Sequence, residues 1–132
     1  MDDDALIFAK LDRASELMFN RDRAIVDELW SDGFQLIGSE DGETAFSRPY
    51  LEGLVDALFK ASFQLRWFWD RKSIRIENDI AWVFAQGRLE FVYPDRIIPV
   101  AYRLVAIFKR SGNDWVWRLY SGSEPIPRRP LQ

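Results

Sequence analysis

The chain contains no histidine and no cysteine among its 132 residues. The first absence removes the side chain most often used for acid–base chemistry at neutral pH, and the commonest nitrogen ligand for metals. The second removes disulfides, thiolate nucleophiles and thiolate metal sites. Neither a metal centre nor a cofactor is expected from what remains. No apolar run is long enough for a membrane-spanning helix. The 18 Lys and Arg are scattered among 21 Asp and Glu, giving a net charge of −3 and a pI near 5.0. With no basic footprint in the sequence, nucleic acid is not an expected partner, and neither is a membrane. The opening Met1-Asp2-Asp3-Asp4 is the opposite of a basic secretory leader and points to the cytoplasm.

What is present is segregated. One domain is expected over residues 1–132, a length that buries roughly 70% of the unfolded surface around a single core. Its first sixty residues are written in helical period. Ile7, Leu11, Ala14 and Met18 recur on one stripe behind the N-capping acids Asp2 to Asp4. That helix breaks near Asn20-Arg21, and a second runs from Asp22 to Ser31-Asp32-Gly33. Phe34 to Gly38 reads as a short strand and Ser39 to Glu43 as a loop. Ser47-Arg48-Pro49 then opens a third helix, with Tyr50, Leu51, Leu54, Val55, Leu58 and Phe59 on its apolar face.

Four long strands follow, over 63–77, 80–93, 97–110 and 115–122. Asn78-Asp79, Pro94-Asp95 and Ser111-Gly112-Asn113-Asp114 separate them, turns short enough to require antiparallel neighbours. Gly87 inside a strand marks a bulge or sharp bend. Helices first and strands after predict an α+β domain, with three helices on one face of a curled antiparallel sheet. Residues 125–132, with three prolines, read as a loosely held tail.

The order of these elements resembles the nuclear transport factor 2-like superfamily, in its SnoaL-like and ketosteroid isomerase-like branch. The resemblance rests on Arg21-Asp22 opening helix two, Leu29-Trp30-Ser31-Asp32, Ser47-Arg48 before helix three, and Trp115 through Ser123-Glu124-Pro125. It implies a cone-shaped fold, a cavity between the concave sheet and the helices, and commonly a homodimer. It also implies places for a tyrosine, an aspartate base and a protonated acid, which fall here on Ala14, Gly38 and Ala101. A histidine that relatives often keep on the closing strand falls on Ser121. The residues that carry the family's known reactions are therefore missing.

Strand parity proposes replacements. With Asn78-Asp79 as a two-residue turn, one sheet face carries Trp67, Trp69, Trp82, Phe84, Gln86, Arg88, Glu90 and Arg103; the other is nearly all apolar. In one reading the mixed face is concave. Trp82 and Phe84 then form the deep wall, the remaining residues ring the mouth, and the apolar face is covered by a second subunit. In the other, the apolar face packs the helices and the charged row is solvated. A bulge at Asp70-Arg71 would move both tryptophans off the mixed face.

The first reading makes the protein a binder of a small, mostly apolar molecule carrying an acidic or carbonyl group. Two alternatives stay open. One is a lyase or isomerase acting beside a carbonyl, with Arg103 as electrophile and Glu90 or Glu43 as base. The other is a non-catalytic accessory subunit whose sheet recruits a partner. Tyr50 is assigned to the core, and either Tyr120 or Ser121 can point inward.

Overall fold

The computed structural model describes residues 2–131; Met1 and Gln132, the last residue of the expected tail, lie outside the described residues. The first helix, α1 (Asp3–Phe19), starts where Asp2 accepts a hydrogen bond from the Ala5 amide, with Asp3 and Asp4 in its first turn. It ends as expected at Asn20. Arg21 takes the left-handed conformation there (φ 51°) and donates to the carbonyls of Ala61 and Phe63, tying the helix corner to the start of the sheet. Helix α2 (Ala24–Leu29) is shorter than expected, because Asp22 turns back to accept from the Ala24 amide. Helix α3 (Arg48–Lys60) is capped by Ser47 and has proline in its first turn.

One six-stranded sheet is formed by β1 (Gln35–Ile37), β2 (Thr44–Ala45), β3 (Gln64–Glu77), β4 (Ile80–Val92), β5 (Ile97–Ser111) and β6 (Asp114–Ser123). Its order is β2-β1-β6-β5-β4-β3. The four long strands form the expected antiparallel meander. The short strand β1 runs parallel to β6 and antiparallel to β2, a two-residue strand just past the expected Ser39–Glu43 loop that the sequence did not announce. Two register shifts bend the sheet. Asp70 is the extra residue between Trp69 and Arg71, and Arg118 is the extra residue between Trp117 and Leu119. The first lies opposite Gly87, where a Cβ would overlap the Phe68 carbonyl oxygen, so only glycine allows so close a strand approach.

Each bulge reverses strand parity. Without Asp70, Trp67 and Trp69 would pair with Glu90 and Arg88. With it they pair with Leu89 and Gly87 and turn to the opposite face. That face, with Ala81, Val83, Ala85, Tyr102, Leu104, Ala106 and Phe108 all buried, packs against the helices. The concave surface is therefore the apolar one. The expectation that Trp82, Phe84, Gln86, Arg88, Glu90 and Arg103 line a pocket is corrected: all six occupy the convex face. Helix burial accounts for this, because the helices' apolar stripes must meet the face that carries no charge. Tyr50 is likewise corrected from core to surface, being 73% exposed.

The acidic start of α1 is pinned to the far end of the sheet. Asp3 accepts from Arg110 and from the Trp115 indole. The Arg110 bond, the largest influence, and the Trp115 bond hold its carboxyl below the usual aspartate range.

Candidate functional site

Helix stripes and concave sheet leave a cavity of about 110 Å³ between them. Leu11, Ala14 and Met18 come from α1, Leu51, Leu54, Val55 and Leu58 from α3, and the strands supply aromatic rings. Trp67, Trp69, Trp117, Tyr102 and Tyr120 form one connected aromatic wall. Tyr102 lies 6.1 Å and 6.2 Å, centroid to centroid, from Trp67 and Trp69, and Trp117 lies 6.1 Å from Tyr120. The two bulges make this wall: Trp117 and Tyr120 face the same way only because Arg118 is looped out between them.

The polar atoms in this wall are few and mostly unspent. The Tyr102 and Tyr120 hydroxyls lie 2.6 Å apart, so one donates to the other and the second keeps a free proton. Burial pushes the Tyr102 phenol up to about 12, partly offset by the bond to Tyr120. Burial, reinforced by Tyr102, pushes Tyr120 well above its ordinary value. Both are neutral donors at physiological pH. The indole nitrogens of Trp67, Trp69 and Trp117 are buried and hydrogen-bond to nothing among the described residues. Trp67 nevertheless sits close enough to Tyr102 to favour its ionised form.

The β1–β2 loop brings two acids, Glu40 and Glu43. Gly38 has no side chain, and the Glu43 carboxyl fills the vacated space: a Cβ at position 38 would stand 2.7 Å from Glu43 Oε1. The Gly38 amide donates to the Glu43 carbonyl at 2.6 Å, and Glu43 Oε1 accepts from the Glu40 amide at 2.8 Å. Burial raises the Glu43 pKa, the Glu40 amide opposes this, and the charges of Glu40 and Glu124 add to it. The Glu43 charge in turn raises both phenols. Beside it, Ser39 donates to Glu124 at 2.6 Å. Glu40 is the lining residue exposed to water and places an opening beside this loop.

Of the residues singled out in the sequence, the structure brings Trp67, Trp69 and Glu43 to the cavity. Trp82 and Arg103 are exposed on the opposite face. Glu90 is buried there, accepting from Arg66 at 2.8 Å and Arg88 at 2.9 Å. Those bonds, Arg88 first, hold its carboxyl below the usual range. Ala14 and Gly38 do line the cavity, but Ala101 and Ser121 face outward and their neighbours Tyr102 and Tyr120 face inward. Sequence reasoning missed Tyr102 by one residue and left Tyr120 and Ser121 as alternatives. Parity along β5 already grouped Tyr102 with the apolar face; the place of Tyr120 depended on the Arg118 bulge. No Lys or Arg lines the cavity, and among the described residues no three acids gather as a cation site.

The chain belongs to the SnoaL-like domain family, whose profile matches residues 7–127. No curated protein matches it. Among solved structures it is similar to a candidate dehydratase of the nuclear transport factor 2-like family from Streptomyces avermitilis. That match has 12% identity, covers 95% of this chain and 98% of the other, and has a TM-score of 0.80. A candidate aromatic ring hydroxylase from Novosphingobium aromaticivorans matches at 16% identity, over 95% and 90% of the two chains, with a TM-score of 0.81. A candidate scytalone dehydratase from the same species matches at 8% identity, over 94% and 88%, with a TM-score of 0.76. At these identities the likeness shows the fold, which is the nuclear transport factor 2-like cone.

Proposed function

We propose that the cavity binds a small, neutral, ring-sized molecule through a carbonyl or similar acceptor group. The observation that carries this reading is the set of unspent donors. Three buried indole N–H groups without a partner and one phenol proton belong to side chains that line a mostly apolar space, and a buried donor without a partner costs about 1–3 kcal/mol. A ligand oxygen would relieve that cost. A carboxylate fits less well than a carbonyl, because the lining offers no cation and already holds Glu43. The volume limits size: about 110 Å³ is less than the cavity of about 150 Å³ that accommodates benzene, so the space suits at most one small ring reaching towards the opening beside Glu40.

The test is a titration with cyclopentanone, cyclohexanone and benzoate, followed by tryptophan fluorescence and thermal shift. The ketones should bind and benzoate should not. Trp69→Phe should weaken ketone binding, since it deletes a donor and keeps a ring. Benzoate binding more tightly than the ketones would overturn the reading.

A second reading, an isomerase-type activity beside the carbonyl, is favoured by the position of Glu43. Its carboxyl occupies the space next to Gly38, and its charge is felt by both phenols. In this reading the Glu43 carboxylate takes a proton from the carbon next to the carbonyl. The electron pair moves to the carbonyl oxygen, and a tyrosine proton steadies the developing oxyanion. Exchange of the ketone's α-hydrogens with deuterated solvent, observed by NMR, should then be catalysed by the wild type and lost in Glu43→Gln. Equal exchange by both proteins would leave binding alone as the function.

A further inference from the structure

Trp67 meets the first helix through its main chain as well as its ring. Its strand, β3, is the outermost of the sheet and pairs on one side only, with β4. Main-chain groups that point off the free side of such a strand have no ladder partner. At Trp67 one hydroxyl satisfies both of them. Ser15 Oγ accepts from the Trp67 amide at 2.8 Å and donates to the Trp67 carbonyl at 3.2 Å. The other hydrogen bond between α1 and β3 among the described residues runs from Gln64 to the Phe19 carbonyl at 2.8 Å, at the last residue of the helix. Ser15 therefore fixes the strand against the helix where the Trp67 ring enters the cavity.

Ser15 and Trp67 also line two spaces at once. Inward lies the cavity of about 110 Å³. Outward lies a groove of about 300 Å³ between α1 and β3, bordered by Glu16, Phe19 and Phe68. No other described residue lines both. We propose that Ser15 is a positioning residue for the ligand cavity: it holds Trp67 as the partition between cavity and groove, and so limits the ligand to one ring. This deepens the reading of the cavity as a ketone site and rests on it. The Trp67 ring meets Tyr102 edge-on, with centroids 6.1 Å apart, and its indole nitrogen is buried without a partner. The side chain thus has packing but no hydrogen bond to hold it, and the fixing bonds are those of its main chain to Ser15. Without the hydroxyl, the freed amide and carbonyl would turn to water. Strand and helix would then part at this point, and the two spaces would join.

The test compares the wild type with Ser15→Ala, Ser15→Thr and Trp67→Leu. The probes are cyclohexanone, the fused two-ring ketone 1-tetralone, and naphthalene, which has two rings and no acceptor group. Ligand-observed NMR follows binding, and circular dichroism verifies that each variant is folded. The wild type should prefer cyclohexanone to 1-tetralone and exclude naphthalene. In Ser15→Ala that preference should fall about tenfold or more, and naphthalene should bind. Ser15→Thr keeps the hydroxyl and should behave as the wild type. Trp67→Leu leaves the main-chain bonds to Ser15 in place but shortens the partition, so it too should admit naphthalene. Three results would overturn the proposal. The first is an equal loss of both ketones in Ser15→Ala with naphthalene still excluded, the mark of general loosening. The second is naphthalene excluded from Trp67→Leu, and the third is two-ring ligands entering the wild type as readily as cyclohexanone. A wild type that binds no ketone would sink the reading of the cavity, while naphthalene entry would still decide the role of Ser15.

Discussion

The Tyr102 hydroxyl occupies the space that a side chain on Gly122 would fill. The glycine on β6 is thus what allows the phenol from β5 to reach Tyr120 at 2.6 Å. Site geometry depends here on an absent methyl group two residues along the strand from Tyr120. In the same way the missing side chain of Gly38 admits the Glu43 carboxyl.

Gly122→Ala should therefore push Tyr102 away from its partner. Overpacking of this kind costs about 1–3 kcal/mol, and urea unfolding should register it as a lower midpoint with an unchanged slope. Ketone affinity should fall with it. A variant as stable as the wild type would show that the hydroxyl has another place to go.

The buried phenols set an alkaline limit on stability. Both have folded-state pKa values above the ordinary tyrosine value of 10.0. The folded protein therefore holds protons that the unfolded chain releases. This contribution is complete below pH 10 and is lost as the pH rises towards about 12 for Tyr102, and as it rises through the likewise raised folded pKa of Tyr120. Stability measured by denaturant should fall over that window, and less steeply in Tyr102→Phe/Tyr120→Phe. Tyr102 and Tyr120 in the folded protein should show phenolate absorbance only above the pH at which an ordinary tyrosine ionises.

Glu43 acts at the other end of the pH scale. Its folded pKa lies above the ordinary 4.5, so its favourable contribution is complete below that value and is lost as the pH rises through the folded one. Above pH 4.5 the fold is progressively weakened relative to its acid form. Glu43→Gln, which keeps an oxygen to accept from the Glu40 amide, should be more stable than the wild type at neutral pH. The advantage should shrink as the pH falls below 4.5, and thermal melts across pH would follow it.

Outer-face substitutions should leave the cavity unaffected. Arg103→Ala and Trp82→Ala are expected to change ketone affinity by nothing measurable, because neither side chain lines the cavity. Trp69→Phe and Tyr120→Phe should each weaken binding by roughly the 0.5–1.5 kcal/mol of one hydrogen bond. An Arg103→Ala variant that loses ketone binding would place the ligand on the convex face.

Much of the architecture was legible because it is local. The Asp2 and Ser47 caps, the helical spacing of Ile7, Leu11 and Met18, and the turns at Asn78-Asp79 and Ser111 to Asp114 each act within a few residues. Period-two alternation along β4 and β5 also sorts their side chains onto two faces in the sequence itself. Only the tertiary structure decided which face is concave and which aromatic rings reach it. Alternation is blind to direction, since a strand reads the same whether its apolar side faces helices or a second subunit. A single extra residue, Asp70 or Arg118, reverses parity for everything beyond it, and its signature is spread across two strands: Gly87 marks on β4 a bulge that lies on β3.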